Sequence, residues 1–281
     1  MSEPATSLPP ILCAHLLRRV DELLVELLRS LSEDEWDLQT VAPAWKVRDV
    51  AAHLLDTPLR KLSLVRDGCF VERVDIRSPQ DLAALVNRLN FEGVNVYRRL
   101  SPAILIDLMT VACEQSARFH ESLDPFAPAA FAVSWAGEDQ SLNWFDTARE
   151  LTERWHHQQQ IRLATNRPGI MLPDLYHPVL DCFVRALPFL YRDVAAPAGT
   201  LVRLEISGDC GGTWLLSRQA AGWALVTDGG GDAASWVIMP QALAWRIFTR
   251  GIDREAARAL VEIHGDRDLG EKILHLTAIV A

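Results

Sequence analysis

The feature that most limits the folds open to this chain is a change of hydrophobic period near residue 195. Before that point apolar residues recur every three or four positions, the repeat of a helix face. Leu12, Leu16, Leu17, Val20, Leu23, Leu24 and Leu27 form the first such series. Beyond Ala195-Ala-Pro-Ala-Gly199, a linker by composition, the apolar residues alternate as they do in strands. The alternating segments are Leu201 to Ile206, Thr213 to Ser217, Trp223 to Thr227 and Ala234 to Met239. Helices first and a mixed sheet second predict an α unit followed by an α+β unit, residues 1–194 and 195–281. A chain of 281 residues with 49% hydrophobic content can bury a core in each.

The helical part divides at its own punctuation. The first helix is expected from Pro10 to Leu31, and Ser32-Glu-Asp-Glu-Trp36 reads as a capped helical turn. A second helix is expected from Trp45 to Arg66, with a kink or break after Thr57 because Pro58 lies inside it. Ser78-Pro and Ser101-Pro each place a capping serine before a proline at the first helical position, opening helices through Arg99 and about Leu123. A fifth helix is expected from Asn143 to Thr165 and a sixth from Pro173 to Leu190. In the second part, Gly208-Asp-Cys-Gly-Gly and Asp228-Gly-Gly-Gly-Asp read as turns between strands. A helix from Pro240 to Arg250, a strand from Val261 to His264 and a closing helix from Asp268 complete that part.

A net charge of −9 argues against nucleic acid as a partner, since phosphate binding needs a concentrated basic surface. No apolar run reaches membrane-spanning length, and MSEPATSLPP lacks the basic start and apolar core of an export signal, so a cytoplasmic protein is expected. The five cysteines, at 13, 69, 113, 182 and 210, have no regular spacing. They read as free thiols in a reducing compartment, with Cys69 and Cys210 beside glycine in turns. No Gly-x-Ser-x-Gly elbow supports serine hydrolase chemistry. Gly229-Gly-Gly231 precedes no helix, so it reads as a flexible hairpin turn rather than a phosphate cradle.

The chemistry concentrates in two helical stretches. Glu153 and His157 are four residues apart in Thr147-Ala-Arg-Glu-Leu-Thr-Glu-Arg-Trp-His-His-Gln-Gln-Gln-Ile-Arg162 and share a helix face. On a wheel they lie opposite the apolar stripe of Trp144, Ala148, Leu151 and Trp155. That side either faces solvent, where the two form an ordinary stabilising pair, or faces a cleft between helices. His53, in Trp45-Lys-Val-Arg-Asp-Val-Ala-Ala-His53, is by itself either a satisfied histidine or a ligand. Asp49 and Asp56 flank it at helical spacing, placed to hold the imidazole or to meet solvent. Taken together, two imidazoles and one carboxylate leave a coordination position open on a zinc-type ion. His156 shares a face with Glu153 as well and is the reserve ligand. Trp45 and Trp155 are candidates to wall the pocket.

These two stretches resemble the metal-ligand helices of the mycothiol-dependent maleylpyruvate isomerase family, within the DinB-like superfamily of metal-binding helical bundles. The tail Ala242-Leu-Ala-Trp-Arg-Ile-Phe-Thr-Arg-Gly251, with Val261-Glu-Ile-His-Gly-Asp266, is similar to that family's small C-terminal domain. The resemblance implies a DinB-like four-helix bundle and a sterol-carrier-like α+β domain. It also implies a divalent metal, usually zinc, on His53, Glu153 and His157, with mycothiol or a similar low-molecular-weight thiol as cofactor. Either isomerisation of a small unsaturated acid or S-transfer to a small electrophile follows from a metal-held thiolate. Arg246 and Arg250 are the candidates to meet a substrate carboxylate, although Arg250 before Gly251 also suits a helix C-cap. The run Gln158-Gln-Gln160 departs from the acidic or histidine residues expected in relatives. The competing reading is a non-catalytic metal-containing binding or sensor protein, monomeric or homodimeric like the enzyme.

Overall fold

The computed structural model describes residues 8–279 except Val71, Arg73 and Gly230. Its residues form two compact units. One comprises Leu12–Ala132 and Gln140–Ile170; the other comprises Met171–Ile279, Val133–Asp139 and the described residues up to Ile11.

The first unit is helical. It contains α1 (Ala14–Ser30), α2 (Val47–Lys61), α3 (Pro79–Tyr97), α4 (Pro102–Ser122) and α5 (Asn143–Ala164). The apolar series of α1 is buried at Leu17, Val20, Leu24, Leu27 and Leu28. Those of α2 and α4 meet it, and α1, α2, α4 and Ile161 of α5 share one core. Helix α3 packs against α2. Close approach is possible there because Gly93 lies over Asp56; a Cβ on Gly93 would come within 2.3 Å of its carboxyl carbon. Ser78 and Ser101 accept the backbone N–H groups of Asp81 and Ile104, as capping serines do.

Helix α2 does not break after Thr57. It continues through Pro58 to Lys61 and closes in a wide π-type turn, Leu62–Arg66. Proline removes one N–H from the ladder. That N–H would have met the Leu54 carbonyl; beside it Thr57 Oγ1 donates to the His53 carbonyl at 3.0 Å. Gly68, in a left-handed conformation (φ +63°), ends the segment.

The second unit is built on a five-stranded sheet: β1 (Leu201–Ser207), β2 (Gly212–Gln219), β3 (Gly222–Val226), β4 (Ser235–Pro240) and β5 (Glu262–Gly265), in the order β3-β2-β1-β4-β5. Strands β1, β2 and β3 form an antiparallel meander. Strand β4 then lies parallel to β1 on its other side, with Arg203 opposite Trp236, and β5 is antiparallel to β4. The expected hairpin at Gly229-Gly-Gly231 is therefore a crossing connection, since β3 and β4 are not neighbours; Gly230 lies outside the described residues. The chain passes close over β1 there: a Cβ on Gly229 would meet the Leu201 methyl at 2.5 Å, so a larger residue would have to displace that side chain.

The helices of this unit are α6 (Pro173–Val184), α7 (Leu187–Leu190), α8 (Gln241–Phe248), α9 (Arg254–Arg258) and α10 (Arg267–Glu271). Helices α6 and α7, which precede residue 195, thus group with the sheet. The helices before the linker are tied to the sheet: Trp214 Nε1 donates to Asp181 at 2.9 Å, Tyr176 OH to the Gln241 carbonyl and Tyr191 OH to the Leu269 carbonyl, both at 2.6 Å. Helical periodicity gives α6 its amphipathic face but not the unit that face joins. Among the described residues no helix is long and apolar enough to cross a membrane. Of the free cysteines Cys69 is exposed and the other four, Cys210 included, are buried.

Candidate metal centre

Helix α5 is polar in composition yet buried along most of its length. The side carrying Glu153 and His157 does not face solvent; it packs against α2. The two helices run antiparallel, because their contacts advance in opposite directions: His53 meets His157, and Lys61, two turns later in α2, meets Glu150 and Asp146, two to three turns earlier in α5.

At one end of this seam, one ligand atom each from His53, Glu153 and His157 lies within 4.8 Å of the others. The His53 and His157 rings sit edge to face, 4.6 Å between centroids. His157 Nε2 is 3.5 Å from Glu153 Oε2. Both histidines are buried and Glu153 is partly exposed. Trp45, just before α2, leans on both imidazoles, 4.8 Å from His53 and 5.6 Å from His157. Trp155 points elsewhere, donating to the Ile170 carbonyl.

The protonation states follow from burial. Loss of water, and then the neighbouring His157, push the His53 pKa well below its ordinary value, so the imidazole is neutral and one of its nitrogens has a free electron pair. For Glu153 burial opposes ionisation, but the hydrogen bond to His157 and the nearby imidazoles outweigh it and hold the carboxyl at about 2. The site is therefore an ionised carboxylate beside a neutral His53 ring, with the His157 imidazole 3.5 Å from the carboxylate. His157 Nδ1 lies 3.0 Å from Gln160 Oε1, and the amide oxygen can only accept, so Nδ1 carries a proton and Nε2 is the nitrogen turned to Glu153. Among the described residues His53 Nδ1 is buried with no hydrogen-bond partner.

Asp49 and Asp56 do not hold His53. Asp49 accepts the Lys46 backbone N–H at 3.0 Å, capping α2, and pairs with Arg98. Asp56 pairs with Arg60 at 3.0 Å. His156, the reserve ligand, lies outside the three-residue cluster; its Nδ1 donates to the Thr152 carbonyl at 2.8 Å, and burial lowers its pKa to about 3. Arg246 and Arg250 belong to the sheet unit. They end α8 in a Schellman turn: Gly251 N–H donates to the Arg246 carbonyl and Arg250 N–H to the Ile247 carbonyl. Arg250 takes the left-handed position of that turn (φ +57°), where glycine is usual.

The other end of the seam holds an ion network that periodicity did not reveal. Lys61 Nζ donates to Asp146 at 2.6 Å and Glu150 at 3.1 Å, and all three are buried. Arg149 spans the same two carboxylates at 2.8 and 2.6 Å. Two cations thus balance two anions, the condition for burying such groups. The nearest sequence signal is the spacing of Asp146, Arg149, Glu150, Glu153 and His157, which puts all five on one stripe.

A His/Glu/His cluster between two antiparallel helices, followed in the chain by a mixed five-stranded sheet, places this protein among α plus α+β chains with a candidate metal centre in the helical part. More narrowly, the chain belongs to the mycothiol maleylpyruvate isomerase N-terminal domain family, whose model matches residues 17–162. Among solved structures it is similar to the mycothiol-dependent maleylpyruvate isomerase (13% identity, TM-score 0.51) and to a histidine-to-alanine variant of it (12%, 0.52). Each alignment covers 86% of this chain and 90% of the other. At that identity the likeness is one of fold. No curated protein matches by sequence.

Proposed function

We propose that the protein is a metal-dependent enzyme that uses a low-molecular-weight thiol of the mycothiol type on a small electrophilic or unsaturated acid, by isomerisation or S-transfer. The observation that carries this reading is the convergence of His53, Glu153 and His157 within 4.8 Å. The cluster fits a divalent ion, zinc in our reading. Two imidazoles and one carboxylate are a zinc donor set that leaves a position free, and among the described residues His53 Nδ1 is a buried nitrogen lacking a partner. We take α1, α2, α4 and α5 as a DinB-like four-helix core and the sheet unit as sterol-carrier-like.

A bound zinc ion supplies Lewis acidity and keeps a thiol ionised at neutral pH. The chain's own groups set the conditions for that. Glu153 leaves a divalent ion with one net positive charge, matching a single thiolate. Gln160 fixes His157 in the tautomer that presents Nε2. Trp45 covers the two rings and limits access of water. Arg250, kept in a conformation that costs a non-glycine residue about 1–2 kcal/mol, is with Arg246 a candidate for an anionic group of the substrate.

The test is metal content of the protein as purified, beside His157→Ala. About one zinc per chain, lost in the variant, is expected; turnover of unsaturated acids should then require both metal and thiol. A wild-type protein that takes up no zinc even when it is supplied sinks the proposal.

A further inference from the structure

We infer that Arg149 is the anchor for a carboxylate of the substrate, in the same unit as the metal cluster. This deepens the proposed function and rests on it for the identity of the reaction, but not for the binding of the anion.

The argument begins with what Arg149 does not use. Its Nε and one terminal nitrogen, Nη2, are engaged by Asp146 and Glu150. Among the described residues Nη1 has no hydrogen-bond partner, and the side chain retains 20% exposure. Asp146 and Glu150 are themselves buried and held from the other side by Lys61. The guanidinium is thus fixed along one edge while another N–H pair stays open. A guanidinium held this way loses little freedom when Nη1 donates a charge-assisted hydrogen bond to a carboxylate.

Position supplies the second observation. Arg149 precedes Glu153 by four residues in α5, so the two share a face, about 6 Å apart along the axis. Glu153 is among the charges that act on the Arg149 guanidinium, so an acid held at the metal cluster by one carboxylate would carry its second along the face that Arg149 occupies. Charge agrees. Lys61, Arg149, Asp146 and Glu150 sum to zero, so an incoming carboxylate meets no net repulsion from the network that fixes its partner.

The probe is maleate, titrated calorimetrically into full-length protein with and without zinc. Arg149→Lys keeps a cation for Asp146 and Glu150 but loses the open Nη1 donors; Arg149→Gln removes the charge. Each should raise the maleate Kd at least about tenfold, the value of a charge-assisted hydrogen bond, while zinc retention and the unfolding midpoint of Arg149→Lys stay near wild type. Maleate affinity unchanged within about twofold in both variants overturns the inference. So does loss of binding in Arg246→Gln or Arg250→Gln with none in the Arg149 variants, or absence of maleate binding to the wild type. Arg149-dependent maleate binding by a protein that never holds zinc would uphold the anchor and refute the metal reading, so the two failures are separable.

Discussion

Gln160→Leu tests the metal centre without touching a ligand. Gln160 is 5% exposed and its Oε1 lies 3.0 Å from His157 Nδ1. Leucine fills similar space and removes the acceptor. A buried N–H without a partner costs about 1–3 kcal/mol. The imidazole can avoid that cost by moving its proton to Nε2 or by rotating, and either change withdraws the lone pair from Glu153 and His53. The penalty therefore falls on the metal-bound form, which needs the Nδ1–H tautomer. Loss of the residue that orients a ligand histidine costs about 10–100-fold in metal affinity, or about 1.4–2.7 kcal/mol. Competition for zinc against a chromophoric chelator measures it directly. Gln160→Glu, which restores an acceptor at the same place, should recover most of the loss. Affinity of Gln160→Leu within about twofold of wild type, in a protein that melts normally, would refute the chain of reasoning from hydrogen bond to tautomer to ligand.

Three further outcomes follow from groups elsewhere in the fold. Gln158 is fully buried with neither amide atom hydrogen-bonded, so Gln158→Leu should stabilise the protein by about 1–3 kcal/mol; a urea midpoint that falls instead contradicts this. His120 is buried against Thr147, and desolvation followed by the Lys61 charge lowers its pKa to about 3. Its folded pKa lies below the unfolded value near 6.5, so its contribution is complete above pH 6.5 and is lost as pH falls toward 3, at about 1.4 kcal/mol per pH unit. His120→Gln should lessen the acid slope of unfolding free energy by that amount, and an unchanged slope between pH 6 and 4 would exclude the assignment. Arg250→Gly should raise stability by about 1 kcal/mol by relieving the left-handed position; if Arg250 also meets the substrate, KM should rise in the same variant.

The helices and strands were legible because their periods differ, and the two capping serines, Ser78 and Ser101, marked boundaries within a residue or two. Glu153 and His157 were legible as a same-face pair. Their partnership with His53 came from resemblance, since no spacing connects positions so far apart. The polar side of α5 was the part least open to reading. Asp146, Arg149 and Glu150 look like a solvated helix face until Lys61 is placed opposite them, and the register between α2 and α5 is a tertiary fact. The same limit applied to α6, an amphipathic helix whose partner could not be read, and to β4, a strand whose neighbour could not. Pro58 misled for a different reason: the rule about helix-breaking proline is local, and the packing of α2 against α3, α4 and α5 carries the helix past the one bond missing at the Leu54 carbonyl.

His53 and His157 lie about a hundred residues apart in the chain, and joining such distant points removes about 4–5 kcal/mol worth of freedom from an unfolded polypeptide in chain-entropy terms. An ion shared between α2 and α5 would thus act as a clasp as well as a reagent. It would also fix an order of events during synthesis: α1 to α4 can collapse as they emerge, but the clasp cannot shut until α5 has left the ribosome, so loading is a closing step of folding rather than its seed.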